Sequence, residues 1–285
     1  MNPIIGYISL SSSTDIMDEL KYAIDNKFDY LGIALDWAQN QKLGDKKLSL
    51  IRSTSKKNNL KLSIHTHFYL PTSTMLPYIR HGLFKTIQQA VNIADKIGAK
   101  TVTVHPGYRE SVGPSSDITL NSLVSNLTEM VRVAKRKNIS ICFENFCRDS
   151  FLLCYKLDEY RKVINQIKNI KVTLDIGHIN TTNHNIIEYT DAVKEYIFDM
   201  HIHNNDGKGD HHKCLDEGTI DYEGFFRYCK SINYNGPFML EVFPHENILK
   251  AKIQIEEIWK KISAPIVAAD GENAAATQPA AHRPR

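Results

Sequence analysis

Short apolar runs recur along this chain, and six of them run out on a histidine or a carboxylate. LKLSIH ends at His65, TVTVH at His105, ISICFE at Glu144 and KVTLD at Asp175, with His178 three residues on. FDMHIH ends at His203, with Asp210 and His212 just beyond, and PFMLE ends at Glu241. Each run is short and bounded by turn residues, as a buried strand is. Core packing does not select an ionisable residue at the last strand position again and again. A parallel barrel does, because the C-terminal ends of its strands converge on one site.

Strand signals begin near Ile4, Tyr30, Leu60, Lys100, Ile139, Lys171, Ile197 and Pro237. Amphipathic stretches with helical spacing lie between them, clearest over residues 83–100 and 120–138. Eight strands alternating with helices predict an α/β fold built as a single (β/α)8 barrel. A doubly wound open sheet would often carry a glycine-rich turn after its first strand, where YISLSSSTD has serines. The barrel is expected to occupy residues 1 to about 262. From 263 to 285 the composition turns to alanine and proline, which predicts a disordered native tail or a vector-derived extension.

Composition removes some functions. A net charge of +3 gives no argument for nucleic acid. Five cysteines, Cys142, Cys147, Cys154, Cys214 and Cys229, are odd in number, lack a CxxC spacing and read as reduced thiols. MNPIIGYISL has neither a basic leader nor a long apolar core, so no signal peptide and no membrane span are expected, and the cytoplasm is the expected location.

Imidazoles with carboxylates suit zinc, manganese or cobalt, and a set without cysteine argues against a structural zinc. Nine candidates exceed what one ion takes, so one to three divalent ions are expected, zinc or manganese foremost. Glu144, central in the array, has two oxygens with which to bridge two ions. A lone inward histidine is ordinarily a core residue bonded to backbone. Strand-end register across six successive strands argues against that for the whole set.

The segments HTHF, VTVHPG, FENF, LDIGH, HIHNND, GDHHKCLDEG and MLEV resemble the motif series of the xylose isomerase-like TIM barrel superfamily. That group includes the endonuclease IV type of apurinic endonuclease and the sugar phosphate isomerases and epimerases. Resemblance to the endonuclease implies three metals: one on His65, His105 and Glu144, one on Glu144, Asp175, His203 and Glu241, and one on His178, Asp210 and His212. Resemblance to the epimerases implies a single ion on Glu144, Asp175, His203 and Glu241, with Glu144 and Glu241 also serving as acid and base.

The departures favour the second branch. Gly107 is followed by Tyr108, Arg109 and Glu110 instead of a serine; Asn145, Phe146 and Cys147 follow Glu144; and His211 stands where the endonuclease motif has arginine. A DNA-gripping face should be basic. The basic clusters Lys46-Lys47, Lys56-Lys57, Lys135-Arg136-Lys137 and Lys260-Lys261 fall instead on expected helices or their ends.

Other residues have milder readings. His201 shares a strand face with His203 by two-residue alternation, as a core-layer residue or a substrate contact. His67 would share the face of His65, and His211 is expected in solvent. Trp37, Phe68 and Tyr69 either wall a sugar pocket or join the core. Lys208, flanked by Gly207 and Gly209, is a candidate phosphate contact.

The reading that results is a divalent-metal-dependent isomerase or epimerase of a small sugar, polyol or sugar phosphate, acting through an enediolate with Glu144 and Glu241 as the proton-transfer pair. The alternative is a multi-zinc phosphoester hydrolase acting on abasic DNA or a small phosphoester. A barrel that only binds ligand is the third. Nucleic acid is the disfavoured partner, and a homo-oligomer is allowed.

Overall fold

Eight parallel strands close on themselves in chain order, β1 pairing with both β2 and β8. They are β1 Ile4–Ile8, β2 Tyr30–Ala34, β3 Lys61–His65, β4 Thr101–Val104, β5 Ser140–Glu144, β6 Lys171–Asp175, β7 Ile197–Ile202 and β8 Pro237–Leu240. Every expected strand start falls within one residue of the observed one. The computed structural model describes residues 2–109 and 116–264. Glu110, and the expected tail beyond Ala264, lie outside the described residues.

Each strand carries a run of apolar and β-branched residues that is almost wholly buried, as parallel strands covered on both faces require. Helices form the outer layer, and short polar side chains cap the starts of several. Asp15 accepts from Met17 N, Asn185 from Ile187 N and Glu188 N, and Asp221 from Gly224 N. The helix Pro77–Ile97 opens with proline in its first turn and stops at Gly98, whose φ of 85° suits glycine. It begins six residues before the amphipathic pattern of 83–100 does, because the exposed first turns bury little and leave no apolar stripe to read. Its stripe of Leu83, Ile87, Ala90, Ala94 and Ile97 packs inward. No described helix is long and apolar enough to cross a membrane.

The barrel interior is not wholly apolar. Thr103 and Thr173 hydroxyls lie 3.0 Å apart, and Thr173 Oγ1 donates to Asp199 Oδ1 at 2.7 Å, a buried polar layer under the rim. Between β6 and β7 the pairing slips: Val172 faces Ile197, but Thr173 faces Asp199. That one-residue bulge sets Asp175 opposite His201 instead of Met200.

Candidate metal centre

All nine expected ligands gather at the C-terminal ends of the strands, and His201 joins them. His65, Glu144 and Asp175 are the last residues of β3, β5 and β6. His105 and Glu241 follow β4 and β8 directly. Asp175 also caps the short helix Ile176–Asn180, its Oδ1 accepting from His178 N at 2.6 Å, which fixes where that helix presents His178.

The donors form two adjoining groups. In the first, Glu144 is central: its Oε2 lies 3.1 Å from His105 Nε2 and 3.4 Å from His65 Nε2, and its Oε1 lies 3.0 Å from His201 Nδ1. His201 Nδ1 is also 3.1 Å from Glu241 Oε1 and 3.9 Å from Asp175 Oδ2. In the second group, Asp210 Oδ2 lies 3.2 Å from His178 Nε2 and 3.1 Å from His212 Nε2, and Asp210 Oδ1 lies 3.4 Å from His203 Nε2. The His203 and His212 rings stack at 4.1 Å. Asp175 bridges the groups, its Oδ1 being 3.1 Å from His203 Nε2.

The arrangement differs from the carried-over set in one ring. The resemblance groups His203 with Glu144 and Glu241; the imidazole that reaches those glutamates is His201, while His203 sits one layer nearer the rim with His178, Asp210 and His212. Both point inward from β7, as alternation requires, and the β6–β7 bulge decides which is level with Asp175.

Hydrogen bonds at the far sides of the rings fix their orientation. His178 Nδ1 donates to Asn145 O and His212 Nδ1 to Glu241 O, each at 2.7 Å, so both rings aim Nε2 at Asp210. Asn145 also clamps β5 to β6, accepting from Asp175 N at 2.8 Å and donating to Asp175 O at 3.0 Å. In the sequence it stands out only as a departure from a motif; its place directly after Glu144 is the available signal. Phe146, likewise unassigned, stacks on His105 at 5.3 Å and meets Phe68 at 4.9 Å.

Of the expected substrate contacts, Phe68 lies beside the centre, 5.2 Å from the His105 ring. Trp37 is half-buried with Nε1 donating to Leu10 O, tying the loop after β2 to the one after β1. Lys208 is exposed on a turn whose backbone N–H bonds Asp206, and it joins neither donor group. Tyr69 is exposed and stacks on Tyr108. His67 accepts from Tyr69 N, and His211 is exposed beside Asp206.

The electrostatics are those of closely packed buried imidazoles and carboxylates. Burial works against the Glu144 charge, yet His201 and His105 hold its carboxyl well below the usual range. Burial alone would depress His201, but Glu241 and Glu144 pull it up to about 10; burial would likewise depress His212, and Asp210 pulls it to about 9. His105 goes the other way, burial keeping it below the ordinary value. Buried atoms on both groups lack hydrogen-bond partners, among them His65 Nε2, Glu144 Oε2, Asp175 Oδ2, His201 Nε2, Asp210 Oδ1 and Glu241 Oε1. Orphaned donors and acceptors packed this closely are costly unless something charged satisfies them. Imidazole and carboxylate atoms within 4.8 Å of one another fit divalent cations.

The sequence pattern of the family described as xylose isomerase-like TIM barrel matches residues 20–261. The chain belongs to that family. Among relatives, a Haemophilus influenzae protein provisionally named L-ribulose-5-phosphate 3-epimerase SgbU is 22% identical over 234 residues, 80% of each chain. A Mycoplasma pneumoniae protein named probable endonuclease 4 is 25% identical over 180 residues, 58% of this chain and 62% of its own. The solved structure of a D-tagatose 3-epimerase-like protein superposes with a TM-score of 0.83 at 24% identity, covering 92% of this chain and 98% of that one, a likeness of fold. The relatives of this chain thus carry both epimerase and endonuclease names.

Proposed function

We propose that the protein is a divalent-metal-dependent isomerase or epimerase of a small sugar, polyol or sugar phosphate, with Glu144 and Glu241 as its proton-transfer pair. One observation carries the reading: these two buried glutamates, from β5 and β8, flank a single imidazole, His201, at 3.0 and 3.1 Å. A pair of carboxylates approaching one centre from different strands is what moving a proton off one face of a carbon and onto the other needs. Glu144, Asp175, His201 and Glu241 would hold the ion. When bound, it supplies a Lewis acid that acidifies the carbon next to a chelated carbonyl. One glutamate then takes the proton from that carbon and the other returns it, while Phe68 and Phe146 keep water from the His105 side. The epimerase-named relative supports the sugar substrate.

The test is exchange. With Mn²⁺ added, incubation in D₂O with a panel of ketoses and ketose phosphates should place deuterium beside the carbonyl of at least one, and Glu241→Gln should abolish it with the ion still bound. No exchange on any sugar by metal-loaded protein would sink the reading.

A second reading has its own observation. The group of His178, His203, Asp210 and His212 exceeds what a single-ion epimerase needs, and it suits a phosphoester hydrolase with more than one metal. Cleavage of an abasic duplex or a small phosphodiester, without deuterium exchange, would establish that instead.

A further inference from the structure

The end of the barrel opposite the carboxylates has the opposite character. A cavity of about 560 Å³ opens there between the first residues of β2, β3 and β4 and the C-terminal ends of helices Asp45–Lys57 and Pro77–Ile97. Its charged lining residues are Arg52, Lys56, Lys61 and Lys100, with no carboxylate among them. Its floor is apolar: buried Leu60, Leu62 and Ile97, with the half-buried rings of Tyr30 and Phe198 at its side.

Among the described residues some surface lysines are paired with carboxylates and others, such as Lys46 and Lys57, are not. Lys21, Lys47, Lys96, Lys137, Lys162 and Lys250 each meet a carboxylate at 2.5–2.7 Å. Among the described residues, none of the four cavity cations does. Arg52 reaches only the carbonyls of Asp95 and Lys96, and Lys61 lies 5.2 Å over the Tyr30 ring. Favourable placement at helix C-termini accounts for Arg52 and Lys56. It does not account for Lys61 and Lys100, which stand at the starts of β3 and β4. Gathering cations without a carboxylate partner around an apolar hollow costs mutual repulsion that an anion would relieve.

We propose that this cavity binds a small organic phosphate: an anionic group held by Lys61 and Lys100, and an apolar or aromatic body lying on the floor beside Tyr30 and Phe198. The volume lies within the range of about 300–1,000 Å³ usual for small-molecule pockets. The site is separate from the metal centre, so it neither needs nor supports the epimerase reading.

The fluorescent anion 8-anilinonaphthalene-1-sulfonate, an aromatic body bearing one charge, serves as the probe on the full chain. Saturable binding is expected, displaced by adenosine 5′-monophosphate but not by adenosine or by inorganic phosphate at the same concentration. The pair Lys61→Glu with Lys100→Glu should weaken the probe by about tenfold or more, as reversing two nearby charges predicts, and the pair of glutamine substitutions should fall between. All these positions are exposed, and an unchanged melting temperature checks that the variants fold. Lys46→Glu, an exposed charge reversal elsewhere, should change nothing, and neither should Glu241→Gln. Probe binding that survives the double reversal, or falls equally with Lys46→Glu, overturns the proposal. Displacement by phosphate alone as strong as by the nucleotide, or none by the nucleotide, overturns it too.

Discussion

Gly177 lies flat against the His203 imidazole, so close that a β-carbon on it would fall 2.0 Å from His203 Cε1. Neither side can yield easily, since Gly177 belongs to the helix that carries His178 and His203 is wholly buried. Gly177→Ala should therefore push His203 away from Asp175 and Asp210. The expected cost is about 1–3 kcal/mol of stability, as for other overpacked cores, with loss of an ion from the outer group. Urea unfolding together with metal content per chain checks this. A variant of unchanged stability that still binds the full complement of metal would show that the ring has room to move.

Metal uptake should release protons. His201 is drawn up to about 10 and His212 to about 9 in the absence of metal, so both rings carry a proton at neutral pH, and a cation needs the lone pair that proton occupies. Loading at pH 7 should displace at least two protons per chain, and affinity should fall as pH is lowered. Calorimetry in buffers of different ionisation enthalpy measures the number directly. A value near zero would mean that these rings are not ligands.

Asp199 gives a stability signature. Burial raises its carboxyl to about 6, with the Thr173 hydroxyl and His201 offsetting only part. Because the folded value is raised, the contribution favours folding fully below the unfolded value near 4 and is lost as pH rises through about 6. Metal-free wild-type protein should thus be disadvantaged above pH 6 by about 3 kcal/mol relative to Asp199→Asn, at 1.36 kcal/mol per unit, and the two should converge near pH 4. Unfolding in chelator across that window tests it; a pH-independent difference would assign the effect to packing.

How much of this was legible follows from what each feature depends on. Strand starts and the strand-end positions of His65, Glu144 and Asp175 were readable because a buried strand is an apolar run and its last residue is marked by a change of chemistry. The contest between His201 and His203 was not. Both lie on one strand face, two residues apart, about 7 Å along β7, and their depth is set by a bulge in the pairing with β6 that no local pattern announces. Asn145 was invisible for a related reason: its role lies in bonds to residues 30 and 33 positions away. The glycines that flank Lys208 marked a loop but not its direction: Lys208 is exposed, while Asp210 and His212 stand in the outer donor group.

That contest also gives the sharpest test of the site. His201 Nδ1 lies between Glu144 and Glu241, whereas His203 Nε2 lies between Asp175 and Asp210. His201→Ala should strip the inner group of its ion and abolish deuterium exchange into substrate. His203→Ala should lose metal from the outer group and leave exchange largely intact, because Glu144, Asp175, His201 and Glu241 remain together. Measuring metal per chain and exchange on the same preparations separates the two, since a ring that merely fills space would lower stability without changing stoichiometry. The reverse pattern, with exchange lost in His203→Ala and kept in His201→Ala, would restore the assignment carried over from the epimerase motif and overturn the one drawn from the geometry of β7.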